Sequence, residues 1–502
     1  MPARAALEAQ MQVLSLPGVT LEQVRLRVDQ DADGRMHMAL TAQQASVAAL
    51  GWRRVGIDMD GALSRGGGQR WQFDGNVKLR NAPGGLLSDS QVTLAMDVDA
   101  NTLQVDVAQG AGHATVAMPL DQATHAQIDL AKLPLAWLQG LLAQAWSGRI
   151  TGGRIDGTLA VDLLDDGVRT SGEFSLAKAG FDSPDGSVAG QGLDLDGRMA
   201  LTTGGSRSDI NADLTVRGGQ LLMGPLYADL PEHDVHLAFD AHVQGRQFSL
   251  ENLHFNDVDA LQLSGSLAFA GDGSISAIDL RQVRASLPAA YQRYGKTWLA
   301  TLGLRDLKTS GFVQASLKQG PHGPDAFAFD ARDFDIADAG GRFAVTGMNG
   351  GMDWRRTGTR TPTTLGWQAL RLYKLPLGAA TAHWQSRDGQ LQLQQPLPIP
   401  LLGGYLTVQG LDWQPAAASG QRLDTAVAVT GVDMAQLSHA FGWPRFKGTV
   451  GGAIPGLHYV DGRFDLDGGL SLAVFDGFVD FTRLSLQHPF GSTPVLAGDL
   501  SL

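Results

Sequence analysis

The chain has 502 residues, 64 glycines and no cysteine, with a charged fraction of 18%, a net charge of −12 and a pI near 5.4. An acidic balance of this kind argues against a nucleic-acid binder, which needs a basic face to meet phosphate. Without cysteine there is no disulfide framework and no thiolate chemistry, which is compatible with an oxidising compartment.

The N-terminal MPARAALEAQMQVL has no signal-peptide hydrophobic region, and no run of 18 apolar residues occurs anywhere, so no transmembrane helix is expected. Residues 3–14 are expected to form a short helix with Leu7, Met11 and Leu14 on one face, ended by Leu16-Pro17-Gly18. From Val19 the pattern is period two. Val92, Leu94, Met96 and Val98 alternate with Thr93, Ala95 and Asp97, and the same grammar recurs at 193–201, 235–243, 261–269 and 391–393. Gly66-Gly67-Gly68, Gly204-Gly205 and Gly340-Gly341 mark turns or bulges. The whole chain accommodates about 35 short strands.

Three places break the strand rhythm, beginning at Asp129, Asp279 and Asp433, each expected to end a strand. A short amphipathic helix follows in each. Its apolar stripe is Leu135, Leu138 and Leu142 in the first, Tyr291, Tyr294, Trp298 and Leu302 in the second, and Met434, Leu437 and Phe441 in the third. Each copy returns to strand through glycine: Gly152-Gly153, Gly311, or Gly451-Gly452. The spacing predicts a large internal repeat, giving segments 1–128 (β with the short leading helix), 129–278, 279–432 and 433–502 in one continuous elongated body. The last segment alternates most plainly. Phe464 and Leu466, then Leu470, Leu472 and Val474, share a face before the Asp476-Gly477 turn.

The predicted class is mainly β: a long, highly twisted, curled and groove-forming sheet of many short strands with a few short amphipathic helices. A sheet with one apolar face must bury it against another layer, and three short helices cannot cover about 35 strands, some 170 Å of sheet at 4.8 Å spacing. A closed barrel, a sandwich and a U-shaped trough all satisfy that demand. A trough would leave an apolar interior suited to acyl chains, at about 0.8 kcal/mol per buried CH₂.

The leucine–aspartate alternation, the helix-to-glycine repeats and the closing GGAIPGLHYVDGRFDLDGG resemble the AsmA-like superfamily of bacterial envelope proteins, nearest its YdbH-type branch, with TamB and YhdP as relatives. The stretch from Pro398-Ile399-Pro400-Leu401-Leu402-Gly403-Gly404 to Gly468-Gly469, including Gly431-Val432-Asp433-Met434-Ala435-Gln436-Leu437, carries most of the resemblance. It implies a periplasmic β-groove, anchored in the inner membrane, that carries phospholipid toward the outer membrane. The anchor is absent from this chain and Asp499-Leu500-Ser501-Leu502 stops within a strand pattern, so both ends are expected to be cuts through a longer protein, with the membrane partners met through the missing parts.

Other constellations resolve to structure. Asp29-Gln30-Asp31-Ala32-Asp33-Gly34 begins like a calcium loop, but its twelfth position is Leu40 and no helices flank it. It is expected to be a hairpin turn, as are Asp194-Leu195-Asp196-Gly197 and Asp465-Leu466-Asp467-Gly468. Gly295-Lys296-Thr297 lacks the first glycine of a phosphate loop, Ala290 standing there, and lies in a helix. His233, His236, His242 and His254 concentrate in one region, where strand geometry puts His233 and His236 on opposite faces. Tyr291, Tyr294 and Trp298 are expected to be core. No nucleophile, hydrolase or metal motif occurs, so neither catalytic residues nor a cofactor are assigned. The expected ligand is the phospholipid acyl chain, lined by Val92, Leu94, Met96, Leu391, Leu393, Phe464, Leu466, Leu470, Leu472 and Val474. A structural or adhesive β-solenoid with a packed interior is the alternative. An outer-membrane barrel is disfavoured by the 7% aromatic content and short strands.

Overall fold

The computed structural model describes residues 6–501 apart from 17–18, 31–34, 48–50, 123, 143–146, 225, 418–419, 461–462, 468, 475–476 and 488–494. The protein is mainly β, its strands paired antiparallel, with a few short helices. The contacts divide it into two compact units, Met1–Glu251 and Asn252–Leu502. That division falls inside the Gln247–Asp257 strand, not at the borders expected from the repeat.

The leading helix is not formed. Residues Ala6–Leu16 are a strand paired with Val19–Gln30. The four-residue spacing of Leu7 and Met11 is also a multiple of two, and Leu7, Ala9, Met11 and Val13 alternate with Glu8, Gln10 and Gln12. A neighbouring strand settled the ambiguity, since pairing satisfies every second backbone group that an isolated short helix would leave to water.

The three helical insertions lie where the sequence places them: Leu135–Leu138 with Gln139–Leu142, Tyr291–Gly295 with Lys296–Thr301, and Met434–Phe441. In each case the strand before the helix pairs with the strand after it: His125–Pro134 with Arg149–Leu164, Ile275–Leu287 with Leu307–Gly320, and Arg422–Asp433 with Thr449–Val460. Each helix is therefore an enlarged hairpin connection. Only Asp433 ends its strand and caps the helix, accepting from the Gln436 N–H at 2.9 Å; Asp129 and Asp279 lie inside their strands.

Asp194-Leu195-Asp196-Gly197 is not a turn either, but the middle of the Val188–Gly204 strand. Its carboxylates serve irregular backbone next door. Lys178, at φ 52°, is an extra residue in its strand, and Asp194 Oδ1 accepts its freed N–H at 2.8 Å. Lys132 (φ 51°) donates to Asp156 Oδ1 at 2.9 Å, and Asp333 (φ 45°) to Asn349 Oδ1 at 3.0 Å. Left-handed bulges of this kind bend a strand sharply, and a side chain on the adjacent strand takes up the group each bulge removes from the ladder.

In Met1–Glu251 the bends bring distant strands together. Gly51 and Gly84, in two hairpin turns, abut Gly140 and Ala136 of the first helix so closely that a β-carbon on either would overlap the carbonyl oxygen it faces. Six strand spacings separate Gly51 from that helix along the pairing order, about 29 Å in a flat sheet. The sheet of this unit is thus curled, with the helix across one end. Val55, Leu79, Val92, Val107, Ala114, Leu133 and Leu135 form the core beneath it.

Phe73, 1% exposed, lies over two facing glycines, Gly61 and Gly75, that leave room for its ring. A β-carbon on Gly61 would meet Asp74 O at 2.3 Å and the ring at 2.8 Å. Gly61→Ala should therefore cost about 1–3 kcal/mol, seen as a lower denaturant midpoint at unchanged slope.

Candidate functional site

The candidate site is the apolar face, and register establishes it. In Met1–Glu251 one cross-strand row runs Phe73, Leu94, Val105, Val116, Ile128, Leu159, Gly172, Met199, Ala212 and Phe239 over ten paired strands. Every member is apolar. The next row along the same strands, on the opposite face by alternation, is Asp74, Thr93, Asp106, Thr115, Asp129, Thr158, Glu173, Arg198, Asp213 and Ala238. Its members bond one another: Thr93 to Asp74 at 2.8 Å, Thr115 to Asp106 at 2.7 Å, Thr158 to Asp129 at 2.7 Å and Arg198 to Asp213 at 2.9 Å. A one-residue slip would put these carboxylates among the leucines, so the two rows fix the register.

Burial varies along the apolar face. Toward the first helix it is packed: Val92 is 5% exposed and Val107 9%. Further along the same strands, Leu94, Met96, Val105 and Val116 are half-buried. The total accessible surface, 28019 Å², exceeds the roughly 21,000 Å² expected of two separate compact domains sharing this mass.

Asn252–Leu502 has apolar cross-strand rows of its own, Leu280, Leu317, Phe327 and Trp354, and Leu391, Trp413, Leu423 and Tyr459. Phe327 and Trp413 have ring centroids 5.5 Å apart, although five strand spacings, about 24 Å in a flat sheet, lie between them. This unit is curled too, and its interior is filled at that level by Trp354 and Leu391, both 0% exposed.

The residues expected to line a groove divide accordingly. Leu94, Met96 and Leu393 are half-buried and accessible from the apolar face; Val92 and Leu391 are closed in by protein and offer no surface to a ligand. The backbones of Phe464 and Leu466 pair with Tyr459 and Leu457, and those of Leu470 and Leu472 with Phe481 and Val479. The side chains of Phe464, Leu466, Leu470, Leu472 and Val474 lie outside the described residues.

The aromatics of the second helix part company. Tyr291 is core, its hydroxyl accepting from the Leu307 N–H at 2.9 Å, and Tyr294 donates to the buried Asp257 at 2.7 Å. Trp298, expected in the core, is 44% exposed and Leu302 57%: Tyr291–Gly295 is a π-helical turn, whose wider period moves the residues after it off the Tyr291 stripe.

The polar face carries the charge. His242 Nδ1 lies 2.7 Å from Asp209, and His236 Nδ1 3.1 Å from Thr215 Oγ1, as surface ladder contacts. Lys296 is exposed, 3.7 Å from Asp306. A hollow of about 750 Å³ over Gln72, Ala95, Gln104, Ala117 and Gln127 also belongs to this face.

Several of these carboxyls titrate low. A hydrogen bond from Lys178 lowers Asp194, bonds from Ser175 and Arg217 lower Asp196, and contacts with His242 and Arg207 lower Asp209. A carboxyl lowered on folding contributes stability above its unfolded value near 4, and loses it as pH falls through the lower folded value. The denaturant midpoint should therefore hold down to about pH 5 and decline below about pH 4; an acid-insensitive midpoint would show that these contacts contribute nothing.

Among the described residues no helix is long and apolar enough to cross a membrane. Comparison with protein-family models and with curated proteins gives no match for this chain.

Proposed function

We propose that the apolar face of the curled sheet holds phospholipid acyl chains, and that the protein conducts lipid between the inner and outer membranes through the periplasm. The observation that carries this reading is the ten-strand apolar row of Met1–Glu251, half-buried except at Phe73 and Ala212 and backed by a row that is polar over nine of the ten strands. Burying an acyl chain there gains about 0.8 kcal/mol per CH₂, and no member of that row has a polar side chain to desolvate. The compartment and the inner-to-outer direction are what the resemblance in sequence implies.

The test places a photo-crosslinking residue at Val105 or Leu159, and at Gln104 or Thr158 as controls on the opposite face. Capture of phospholipid at the first pair and not the second is expected. Equal capture, or none, would sink the reading. Leu159→Glu should reduce capture at Val105 about tenfold or more, since a buried unpaired carboxylate is costly.

The packed interior around Trp354 favours a second reading for Asn252–Leu502, a structural sheet with no ligand at that level. Crosslinkers at Leu393 and Leu423 that stay free of lipid, while Val105 captures it, would assign that role.

A further inference from the structure

The edge of Asn252–Leu502 that bears the helices differs from the other. Strand ends and turns along it run, in pairing order, from the second helix through the 339–342 turn, the 373–374 turn and the 402–403 turn to the third helix, about 40 Å of sheet. The edge is continuous: Arg342 Nη2 donates to Gly303 O at the end of the second helix, and the Tyr373 N–H donates to Arg342 O.

Large hydrophobic side chains project from it. Of the nine exposed ones described in this unit, seven lie at this edge, among them Trp298 (44%), Leu302 (57%), Leu372 (45%), Tyr373 (55%) and Trp443 (50%). Trp443 is held outward by stacking on Phe441, centroids 4.9 Å apart, just past the left-handed Gly442 cap.

Between these side chains stand exposed cations: Arg305, Lys308, Arg371, Lys374, Arg445 and Lys447. Among the described residues none of the six makes an ion pair. The carboxylates nearby are mostly engaged. Asp306 is exposed beside Lys296, Asp338 is buried against Arg342, and Asp433 caps its helix; Asp259 is also exposed. At the opposite edge Arg356, Arg360 and Arg422 are paired with Asp325, Asp353 and Asp424, while Arg355 and Arg387 are exposed. A basic edge is unexpected in a chain of net charge −12.

We propose that this edge docks on the headgroup layer of an anionic bilayer. The basic side chains complement anionic headgroups, and indole, phenol and leucine side chains interleaved with them are what an interface between water and hydrocarbon accepts. An acidic protein partner would meet the cations but leave the two indoles and two leucines without an apolar layer to enter. The inference does not depend on what occupies the apolar face.

The test is flotation of the full chain with vesicles of neutral phosphatidylcholine, alone or with 30 mole per cent phosphatidylglycerol, on the order of the anionic content at which such attraction is felt. Binding to the anionic vesicles alone is expected, weakening as salt is raised. Arg371→Glu with Lys374→Glu, and separately Arg445→Glu with Lys447→Glu, should each reduce the partition coefficient about 25-fold or more. The control pair Arg355→Glu with Arg387→Glu, exposed at the opposite edge, changes net charge equally and should alter it less than about twofold. Brominated lipid should quench indole emission, and Trp298→Phe with Trp443→Phe should remove that quenching. The proposal is overturned if neither vesicle binds, or if the control pair weakens binding as much as the edge pairs. It is also overturned if the edge pairs abolish self-association without any vesicle binding, which would assign the edge to a second copy. Lipid crosslinking at Val105 should persist in the edge variants, separating failure here from failure of the acyl-chain reading.

Discussion

Trp354→Ala should destabilise the protein by about 3–5 kcal/mol, the range for emptying a fully buried indole site. Trp354 is 0% exposed, stacks on Phe327 with centroids 5.3 Å apart, and donates from Nε1 to Gly389 O at 3.0 Å. Phe327 in turn touches Trp413 across the curl. Removing the indole therefore takes away the bond to the Gly389 carbonyl, on a connection not paired with its own strand, and the ring that supports Phe327 against Trp413, in addition to its apolar area. Trp354→Phe keeps the stacking and loses only the hydrogen bond, so it should cost less than half as much. Equilibrium denaturation followed by far-ultraviolet circular dichroism measures both. A loss below about 1 kcal/mol for the alanine variant would mean that the interior relaxes around the cavity and that the curl does not depend on this side chain.

Arg293→Ala is expected to cost about 3 kcal/mol or more, because it strands a carboxylate inside the protein. Asp257 is 0% exposed and receives Arg293 Nη1 and Tyr294 Oη, each at 2.7 Å, on the same oxygen. Burial, and next the Asp257 hydrogen bond, push the Tyr294 hydroxyl well above the usual phenol range, so it remains a donor. The site pins the second helical connection to the Gln247–Asp257 strand. Removing both charges, with Arg293→Met and Asp257→Asn together, should cost less than Arg293→Ala alone, since an unpaired buried charge is worse than no charge. A double variant less stable than the single one would refute that account. Amide exchange over 287–307 should accelerate in Arg293→Ala before the strands of the sheet open.

Much of the fold was legible because alternation and register obey the same period. Leu94 and Val105, or Thr93 and Asp106, could be assigned to faces from sequence alone, and the three helical interruptions fell where the stripe spacing changed. What escaped has physical causes. Leu7 and Met11 fit both periods, and only the partner strand Val19–Gln30 decides between them. The Asp194-Leu195-Asp196-Gly197 run has turn composition, yet its aspartates work on Lys178 and Arg217 of adjacent strands, contacts that no local window contains. The candidate site was legible as a face but not as a depth. Nothing in the residues themselves distinguishes Leu391, enclosed by the curl, from Leu393 two positions on. Trp298 was misplaced because its stripe assumes an α-helical period, whereas Tyr291–Gly295 winds as a π-helical turn.

The pairing of strands on either side of each helix has a bearing on how such a chain could grow. A hairpin closed by a helix enters and leaves the sheet at the same edge, with the chain direction restored and both faces in phase. Duplicating or deleting such a module leaves its neighbours with the partners, twist and polarity they had before. Sheet length is then an adjustable quantity, changed in steps by recombination without redesign of a core, and a span could be matched to a distance outside the protein in the way a ruler is cut to length.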